Sequence, residues 1–356
     1  MKKILRGPSG GGLLFLLIAG GLALPQPGVR AQETERLQGS EISIYNLAGQ
    51  VEVVSGSGSD VTVEIMRGGD DARMLEVDTR QVDGRQALII RYPDDEVVYP
   101  ELGRGSRTQI RVSDDGTFGN RSSGGGSEVN IRGSGDGLEA WADLRISVPP
   151  GRDVAVYLAV GHTEVGAVEG DLLIDTGSGS VDARGGSGML NVDTGSGAVT
   201  VRDFQGELLV DTGSGEVELS AIRGGEVNVD TGSGAVDGSD VTASYFNVDT
   251  GSGRITLSGV TAPELYLDTG SGSVEVELLG DVDEFVVDTG SGEVTIYIPG
   301  NLGAEIEVDT GSGGIDLNVP LEIRTAKRNY LRGILGDGRG RFSVDTGSGA
   351  IRLIGG

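Results

Sequence analysis

The residues of this 356-residue sequence that could do chemistry recur in one pentapeptide, Asp-Thr-Gly-Ser-Gly. A carboxylate next to two hydroxyl side chains offers general acid or base catalysis, or oxygen ligands for a hard cation such as Ca²⁺. The pentapeptide occurs nine times, in steps of 18 to 21 residues except for a last step of 36. Its aspartates are Asp175, Asp193, Asp211, Asp230, Asp249, Asp268, Asp288, Asp309 and Asp345.

The first copy, LLIDTGSGSV at residues 172–181, resembles the catalytic loop of pepsin-like aspartic proteases. Those enzymes bring two such loops together so that two carboxylates share one proton. Nine nearly evenly spaced copies contain no unique pair, so the resemblance does not indicate a protease. The pattern favours a turn used once per repeat. In that turn Gly is expected to supply positive φ angles, and the Asp, Thr and Ser side chains to cap backbone N–H groups.

Apolar and polar residues alternate on both sides of each pentapeptide. The positions one and three residues before the Asp are always apolar, and the position six residues after it is always Val or Ile. The position between the apolar sites that follow the turn is polar in every copy, as in Thr200 and Glu218. A period of two is typical of short strands with one buried face. Each repeat therefore predicts a strand, a turn, a second strand and a looser turn.

One such repeat buries its apolar face only against its neighbours, so the sequence predicts an all-β protein. The predicted fold is a β-solenoid of stacked 18–21-residue DTGSG coils with a degenerate N-terminal β region. Coils about 4.8 Å apart would give a column about 40 Å long. A weakly apolar position eleven residues after the Asp, as in Phe204 and Ile222, indicates two or three strands per coil. A β-propeller is disfavoured because its blades need about 40 residues.

The N-terminus has the pattern of a secretory signal peptide, predicted to occupy residues 1–31; the alternative is an uncleaved membrane anchor. Lys2, Lys3 and Arg6 precede an apolar run at residues 12–25 that is short for a membrane span. The protein is therefore expected to be exported to the periplasm, the outer surface or the medium, with no transmembrane segment after cleavage.

The rest of the chain is expected to form one continuous domain. Residues 32–150 would be a degenerate N-terminal β-strand region, with a flexible Gly/Ser-rich loop at residues 114–137. Residues 151–356 would be the regular solenoid, with an insertion at residues 318–341. That insertion is expected to contain one degenerate or looped-out copy of the repeat.

Composition and charge exclude several classes of function. The formal charge is −26, from 54 acidic and 28 basic residues, which disfavours nucleic acid and anionic lipid as partners. There is no Cys, so disulfides and thiolate metal sites are excluded. His162 is the only His, which leaves a His-based metal cage or a Ser-His-Asp triad without its usual parts. Trp141 is also solitary, so a row of aromatic sugar platforms is absent. We therefore predict no catalytic residues and no enzymatic activity.

A stacked column of aspartates has an electrostatic consequence. Carboxylates about 4.8 Å apart repel by about 0.9 kcal/mol in water and by about 3.5 kcal/mol at an effective dielectric constant of 20. One hypothesis is a hydrogen-bonded turn whose carboxylates face solvent. The other is a calcium ladder, the one cofactor considered, although the GGxGxD pattern of calcium-loaded β-rolls is absent. Its candidate ligands are Asp175, Asp193, Asp211, Asp230, Asp249, Asp268, Asp288 and Asp309.

The predicted insertion gathers basic residues in an otherwise acidic chain. It is either a solvated segment that offsets the acidic column, or a contact site for an acidic glycan, a lipopolysaccharide phosphate or a partner protein. The residues of this basic patch are Arg324, Lys327, Arg328, Arg332, Arg339 and Arg341.

The chain resembles a family of bacterial adhesin-like proteins of the cell envelope, of unknown function and related to head domains called GIN. The resemblance is carried by SIYNLAGQVEV, RISVPPGRDVAVYLAVGHTEVGAVEGDL, the serial DTGSG units and the closing LRGILGDGRGRFSVDTGSGAIRLI. It covers nearly all of residues 40–355. It implies an exported β-solenoid with an adhesin or envelope-stress role, and it transfers no active-site residues.

These observations predict an exported, non-enzymatic, adhesin-like or structural envelope protein that presents a long acidic β-solenoid surface. Its partner would be an envelope or surface component, either a glycan or a protein, and not nucleic acid. One alternative is a carbohydrate-active β-helix enzyme, a lyase or a glycosidase, which would need paired carboxylates in a groove of irregular loops. The other alternative is a passive stalk stabilised by calcium.

Overall fold

The computed structural model describes residues 32–119 and 125–356, and the predicted signal peptide lies outside them. The regular structure there is β, apart from two 3₁₀ turns at Ala72–Met74 and Pro100–Leu102. The first strands are β1 (Gln32–Leu37), β2 (Glu41–Ala48), β3 (Val51–Ser55), β4 (Val61–Gly68), β5 (Glu76–Val82), β6 (Arg85–Arg91), β7 (Glu96–Val98), β8 (Arg107–Ser113), β9 (Gly126–Arg132), β10 (Leu138–Glu139) and β11 (Trp141–Val148).

The repeats supply the remaining strands, usually two per coil. They begin with β12 (Arg152–Val160), β13 (Thr163–Val165), β14 (Glu169–Ser178), β15 (Val181–Arg184), β16 (Ser187–Thr194), β17 (Val199–Arg202), β18 (Gln205–Thr212), β19 (Val217–Arg223), β20 (Glu226–Thr231), β21 (Val236–Thr242), β22 (Tyr245–Thr250) and β23 (Ile255–Thr261). They end with β24 (Glu264–Thr269), β25 (Val274–Leu278), β26 (Glu284–Thr289), β27 (Val294–Ile298), β28 (Ala304–Thr310), β29 (Ile315–Asn318), β30 (Glu322–Ala326), β31 (Tyr330–Leu335), β32 (Gly340–Thr346) and β33 (Ile351–Gly355).

The strands that lead into the DTGSG turns stack side by side, and so do the strands that leave them. We call the first stack face A. Its spatial order is β5, β6, β2, β12, β14, β16, β18, β20, β22, β24, β26, β32, β28, β31 and β30. We call the second stack face B. Its spatial order is β1, β4, β11, β3, β13, β15, β17, β19, β21, β23, β25, β27, β33 and β29.

Pairing within each face of the repeats is parallel and in register. Asp175 pairs with Asp193, Asp193 with Asp211, and Asp211 with Asp230. The predicted β-solenoid is therefore confirmed. The alternating apolar residues of both faces meet in one continuous core, in which Val192, Val199 and similar side chains are fully buried.

The third apolar position lengthens face B where it is best formed. Ile222, Val241 and Val260 pair in register near the ends of β19, β21 and β23, and all three are buried. Phe204 is also buried but lies between strands.

The N-terminal region extends the same column. Strand β2 pairs in parallel with β12, and β3 pairs with β13. At the outer end, β5 and β1 close the two faces through antiparallel pairs with β6 and β4. These strands share the main core with the repeats.

A second, four-stranded sheet covers the outside of face A at this end. Its order is β10, β7, β9, β8. Tyr45 and Tyr157 of face A pack beneath it, together with Phe118 and Ile131, in a separate apolar cluster. The segment 114–137, predicted as a flexible loop, contains β9, which pairs with β7 and β8. Alternate apolar residues such as Val129 and Ile131 give this Gly-rich segment a face to bury.

The last coil in sequence is not the last coil in space. Strand β32 lies between β26 and β28, so Asp345 pairs with both Asp288 and Asp309. Strand β33 lies in the same way between β27 and β29. Asp288 and Asp309, consecutive in sequence, are therefore not neighbours in the column. Sequence order alone predicted the wrong stacking order here.

The 36-residue step does not contain a degenerate coil. Residues 318–341 form a hairpin of β30 and β31, and β31 pairs antiparallel with β28. An antiparallel strand cannot continue a parallel coil, because its hydrogen bonds and side chains follow a different pattern. The hairpin therefore closes face A at the C-terminal end of the stack.

Candidate functional site

The threonines of the pentapeptides hold the turn column together from inside. The nine Thr side chains are 0–1% exposed. Thr250 is representative: its Oγ1 donates to the carbonyl of Gly234 in the preceding coil, at 3.2 Å, and accepts from the N–H of Gly253, at 2.9 Å. One hydroxyl thus caps its own turn and bonds the neighbouring turn. The predicted capping role is confirmed for seven of the nine threonines. Thr194 bonds only the preceding coil, and Thr176 Oγ1 is buried without a hydrogen-bond partner.

The glycines are required by close stacking and not by positive φ angles. No glycine of the nine TGSG turns is among those with positive φ, which makes that part of the sequence prediction wrong. A Cβ built on Gly234 would lie 1.7 Å from the carbonyl oxygen of Gly215, and one on Gly253 would lie 1.7 Å from that of Gly234. Each turn therefore packs its backbone directly on the turn beneath it.

The aspartates form a single outward-facing column on face A. Burial, followed by the charges of neighbouring aspartates, raises the pKa of Asp211, Asp230, Asp268 and Asp345. For Asp345 the neighbours are Asp288 and Asp309, in agreement with its place between them. The carboxylates thus repel one another along the column, as the sequence predicted.

Asp175 differs from the others because it lies at the edge of the small sheet. The column continues from it towards the N-terminus as Tyr157, Tyr45 and Ile89. A Cβ on Gly119 would lie 2.9 Å from Asp175 Oδ2, so the backbone there covers the carboxyl group. Burial, and then the charge of Asp193, raises the pKa of Asp175 to about 6. The acidic column therefore begins where the apolar cover ends.

The arrangement gives little support to a calcium ladder. In the described part of the chain, no three His, Asp or Glu side chains lie close enough together to hold a metal ion. The column offers its carboxylates in single file, whereas Ca²⁺ takes six to eight oxygen ligands. Calcium binding by Asp175 to Asp309 stays a hypothesis.

The basic patch is divided among separate partners. Arg341 donates to Glu284 at 2.7 Å, and Arg332 donates twice to Glu305. Arg339 pairs with Asp337, Arg324 pairs with Glu322, and Lys327 lies 5.4 Å from the ring centre of Tyr330. Arg328 is exposed.

The register brings Arg341 between Glu284 and Glu305 on face A. These contacts agree with the interpretation that the segment offsets acidic charge. A partner site there stays a prediction.

His162 lies close to three polar side chains that the sequence did not indicate as its neighbours. Ser180 Oγ lies 2.7 Å from Nδ1, and Glu164 Oε1 and Asp182 Oδ2 lie 3.5 and 3.6 Å from Nε2. Ser180 is one coil beyond His162, because Thr163 pairs with Val181. A one-repeat spacing was therefore the signal that sequence reasoning missed. Both acid–imidazole distances exceed that of a good hydrogen bond, so the group is an incomplete version of a catalytic triad.

These residues border a pocket of about 400 Å³ that opens between the repeats and the segment before β8. Gln50, Tyr99, Glu101 and Leu102 form one wall. Turn residues of the first coils form the other wall: Gly161, His162, Ser178, Gly179 and Ser180. Thr108 of β8 contacts Ser178 at 3.0 Å and ties the small sheet to this turn column. Residues 99–102 carry no repeat signal, which is why the sequence did not reveal the pocket.

A search of the curated proteins finds no match. Among solved structures, a putative cell adhesion protein from Clostridium sporogenes aligns over 92% of this chain and 99% of its own. Its sequence identity is 12% and its TM-score is 0.22.

One family model matches more than half of the chain. The model of the family described as Toastrack DUF4097 matches residues 142–353, from β11 to the last strand. The match includes all nine turns and the C-terminal coil that inserts between earlier ones. It leaves out the small sheet and most of the N-terminal strands. The chain therefore belongs to the Toastrack DUF4097 family.

Proposed function

We propose that the protein is an exported, non-enzymatic, adhesin-like or structural envelope protein that binds a surface component through the acidic side of face A. The observation that carries this proposal is the uniform charge there. Seven consecutive strands, β14 to β26 of face A, contain no Lys or Arg. Their outward positions include the aspartate column and a second acidic row with Glu207, Glu226 and Glu264.

Face B differs because it contains arginines that form ion pairs with some of its acidic residues. Arg202 pairs with Glu218 at 2.8 Å, and Arg254 lies 3.7 Å from Asp237. Surface pairs of this kind contribute little stability but cancel local charge. The uncompensated charge is therefore concentrated on face A, where it repeats once per coil.

A repeated row of weak contacts suits a polymeric partner. Sites about 4.8 Å apart on a rigid sheet engage a chain or an array of cations together, which multiplies weak affinities. The partner class that fits is a basic protein or an amine-bearing glycan of the cell envelope. Within residues 32–119 and 125–356, no helix is long and apolar enough to cross a membrane.

The test is retention of the purified protein on cell-envelope fractions and on a glycan array. A face A variant, Asp211→Asn with Asp230→Asn and Asp249→Asn, removes three charges from the column. A matched face B variant, Glu216→Gln with Glu277→Gln and Asp316→Asn, removes three exposed charges elsewhere. We expect at least a fivefold loss of retention for the face A variant alone. Equal retention of both variants and the unmodified protein would overturn the proposal.

A further inference from the structure

The pocket beside His162 lies where the small sheet meets the first turns of the repeats. The small sheet overhangs only the first turns of the column, and Ser178 touches Thr108 of that sheet. The equivalent serines of later coils, such as Ser233 and Ser252, are exposed on the open turn surface. The pocket therefore combines repeat residues with residues from outside the repeats, and its chemistry is specific to this place.

The polar groups of the pocket are fixed in position. Glu101 Oε2 accepts from the Tyr99 hydroxyl at 2.9 Å and from Gln50 Nε2 at 2.6 Å. Both bonds end on one oxygen, which leaves Oε1 to accept from a ligand. Burial, and then the bond to Glu101, raises the pKa of Tyr99, so its hydroxyl remains a donor. Across the pocket, the contact with Ser180 orients the imidazole of His162.

The charge of the pocket selects the kind of ligand. Its lining contains one carboxylate, Glu101, and no Lys or Arg. Two more carboxylates, Glu164 and Asp182, lie behind the imidazole of His162. Anionic ligands such as phosphates and uronic acids are therefore disfavoured, and a protonated amine is favoured. Hydroxyls and an imidazole on the opposite wall suit a ligand rich in hydroxyl groups.

The pocket also leads into a groove. It shares Gln50 and His162 with the next cavity, which in turn shares Glu52 and Glu164 with a third. The three cavities run from Glu101 towards Arg202 on face B. A ligand that is one unit of a longer chain could therefore enter the pocket while the rest of the chain follows the groove.

We propose that this pocket binds one amino-sugar unit of a glycan, with the ammonium group on Glu101 and the sugar hydroxyls on Ser178, Ser180 and His162. This inference deepens the proposed function and rests on it, since it names a ligand class for a protein that contacts the envelope. The pocket would recognise one unit of the chain, while face A supplies the repeated contacts.

The test is a titration of the purified protein with glucosamine, glucose and glucuronic acid, followed by NMR at about pH 6.5, where the amine is protonated. We expect glucosamine to bind at least about tenfold more tightly than glucose, because a charge-assisted bond is stronger than a neutral one. Glu101→Gln should abolish that preference while it keeps the shape of the side chain. Ser180→Ala should weaken binding, whereas Ser273→Ala should not, because Ser273 follows the turn at Asp268 in the same way but is remote from the pocket.

Three outcomes would overturn the inference: no glucosamine binding, equal binding of glucose, or a preference unchanged in Glu101→Gln. Equal binding of a simple amine without hydroxyl or carboxyl groups, such as n-butylamine, would also overturn it, since the hydroxyl contacts would then contribute nothing. The result is separable from the test of face A. The triple face A variant should keep glucosamine binding while it loses retention on the envelope. Loss of the monosaccharide signal with retention intact would refute the pocket alone.

Discussion

At the scale of the residue, the DTGSG pentapeptide places side chains with different roles on the two sides of the sheet. The Thr hydroxyl points inward and joins adjacent turns, while the Asp carboxylate points outward and repels its neighbours. The two glycines allow the turns to touch. A sequence that resembles a protease loop is therefore a stacking element, whose acid lies on the surface and whose hydroxyl lies in the core.

Gly234→Ala tests the role of the second glycine. Its Cβ would meet the carbonyl oxygen of Gly215 at 1.7 Å, so the turns must separate. We expect a loss of about 3 kcal/mol or more in the free energy of unfolding, measured by urea denaturation. Gly225→Ala is the matched control, because nothing lies within 4 Å of its Cβ and its φ is not positive. Equal losses in the two variants would contradict the stacking explanation.

Asp175 gives the protein a dependence on pH. Its pKa is raised from 3.8 to about 6 in the folded state, so the folded protein holds the proton more tightly than the unfolded chain. Stability should fall as the pH rises through that interval and level off above it. Asp175→Asn removes this cost and should stabilise the protein by about 1–2 kcal/mol at pH 7.5, a value reduced for partial exposure. The gain should shrink to a few tenths of a kcal/mol near pH 4. A gain that did not change with pH would show that the carboxyl group is not strained by burial.

Ser180 should behave as an ordinary hydroxyl despite its contact with His162. The carboxylates lie 3.5 and 3.6 Å from the imidazole, too far for the hydrogen bond that orients the base in a triad. We expect a fluorophosphonate probe to leave Ser180 unlabelled in intact-mass and peptide spectra, as it should Ser273. Selective labelling of Ser180 would show an activated serine and would contradict the prediction that the chain has no catalytic residues.

At the scale of the element, the strands were predictable and their order was not. The apolar positions around Val192 and Val199 specify two strands per coil by simple alternation, and the structure has both. The insertion of β32 between β26 and β28 left no comparable trace. All nine units carry the same apolar pattern, so any coil could pair with any other. The small sheet was missed because β9 lies within the Gly-rich segment 114–137, which hid its short apolar alternation. The pocket was missed because its walls come from distant segments.

Phe342 provides a test of that insertion. Its ring is fully buried and lies 4.5 Å from that of Phe285, centre to centre, and it pairs on its other side with Ile306. Phe342→Ala should cost about 3–5 kcal/mol. Hydrogen exchange should quicken in β26, β28 and β32 together, although β28 precedes the mutation by more than 30 residues. Phe246→Ala is the control, since it should loosen β20 and β24 instead. Unchanged exchange in β28 would contradict the stacking order.

At the scale of the whole molecule, the net charge of −26 is distributed unevenly over the surface. Ion pairs offset part of the acidic charge on face B, and the C-terminal arginines offset it at the end of face A. The centre of face A keeps its charge. The β-solenoid therefore has one strongly acidic side, the outer surface of face A.

Calcium should act on the β-solenoid only as a general counterion. We expect millimolar CaCl₂ to raise the melting temperature no more than MgCl₂ does at the same ionic strength, because the carboxylates stand in single file. EDTA should leave the melting temperature unchanged. A rise of several degrees specific to calcium, lost on addition of EDTA, would support the calcium-stabilised stalk instead.

The position of the coil at Asp345 constrains the order in which the coils can form. Each coil up to the one at Asp288 pairs with the coil that precedes it in sequence, so these coils can add to the column one after another. The coil at Asp309 reaches its native pairing only when the coil at Asp345 has formed beside it, because β28 pairs with β32 and β29 pairs with β33. Without β32, Phe285 and Val287 would lose the strand that covers them in this fold. The two halves of this end of the column, the coils at Asp288 and Asp309, are therefore joined only through the coil at Asp345.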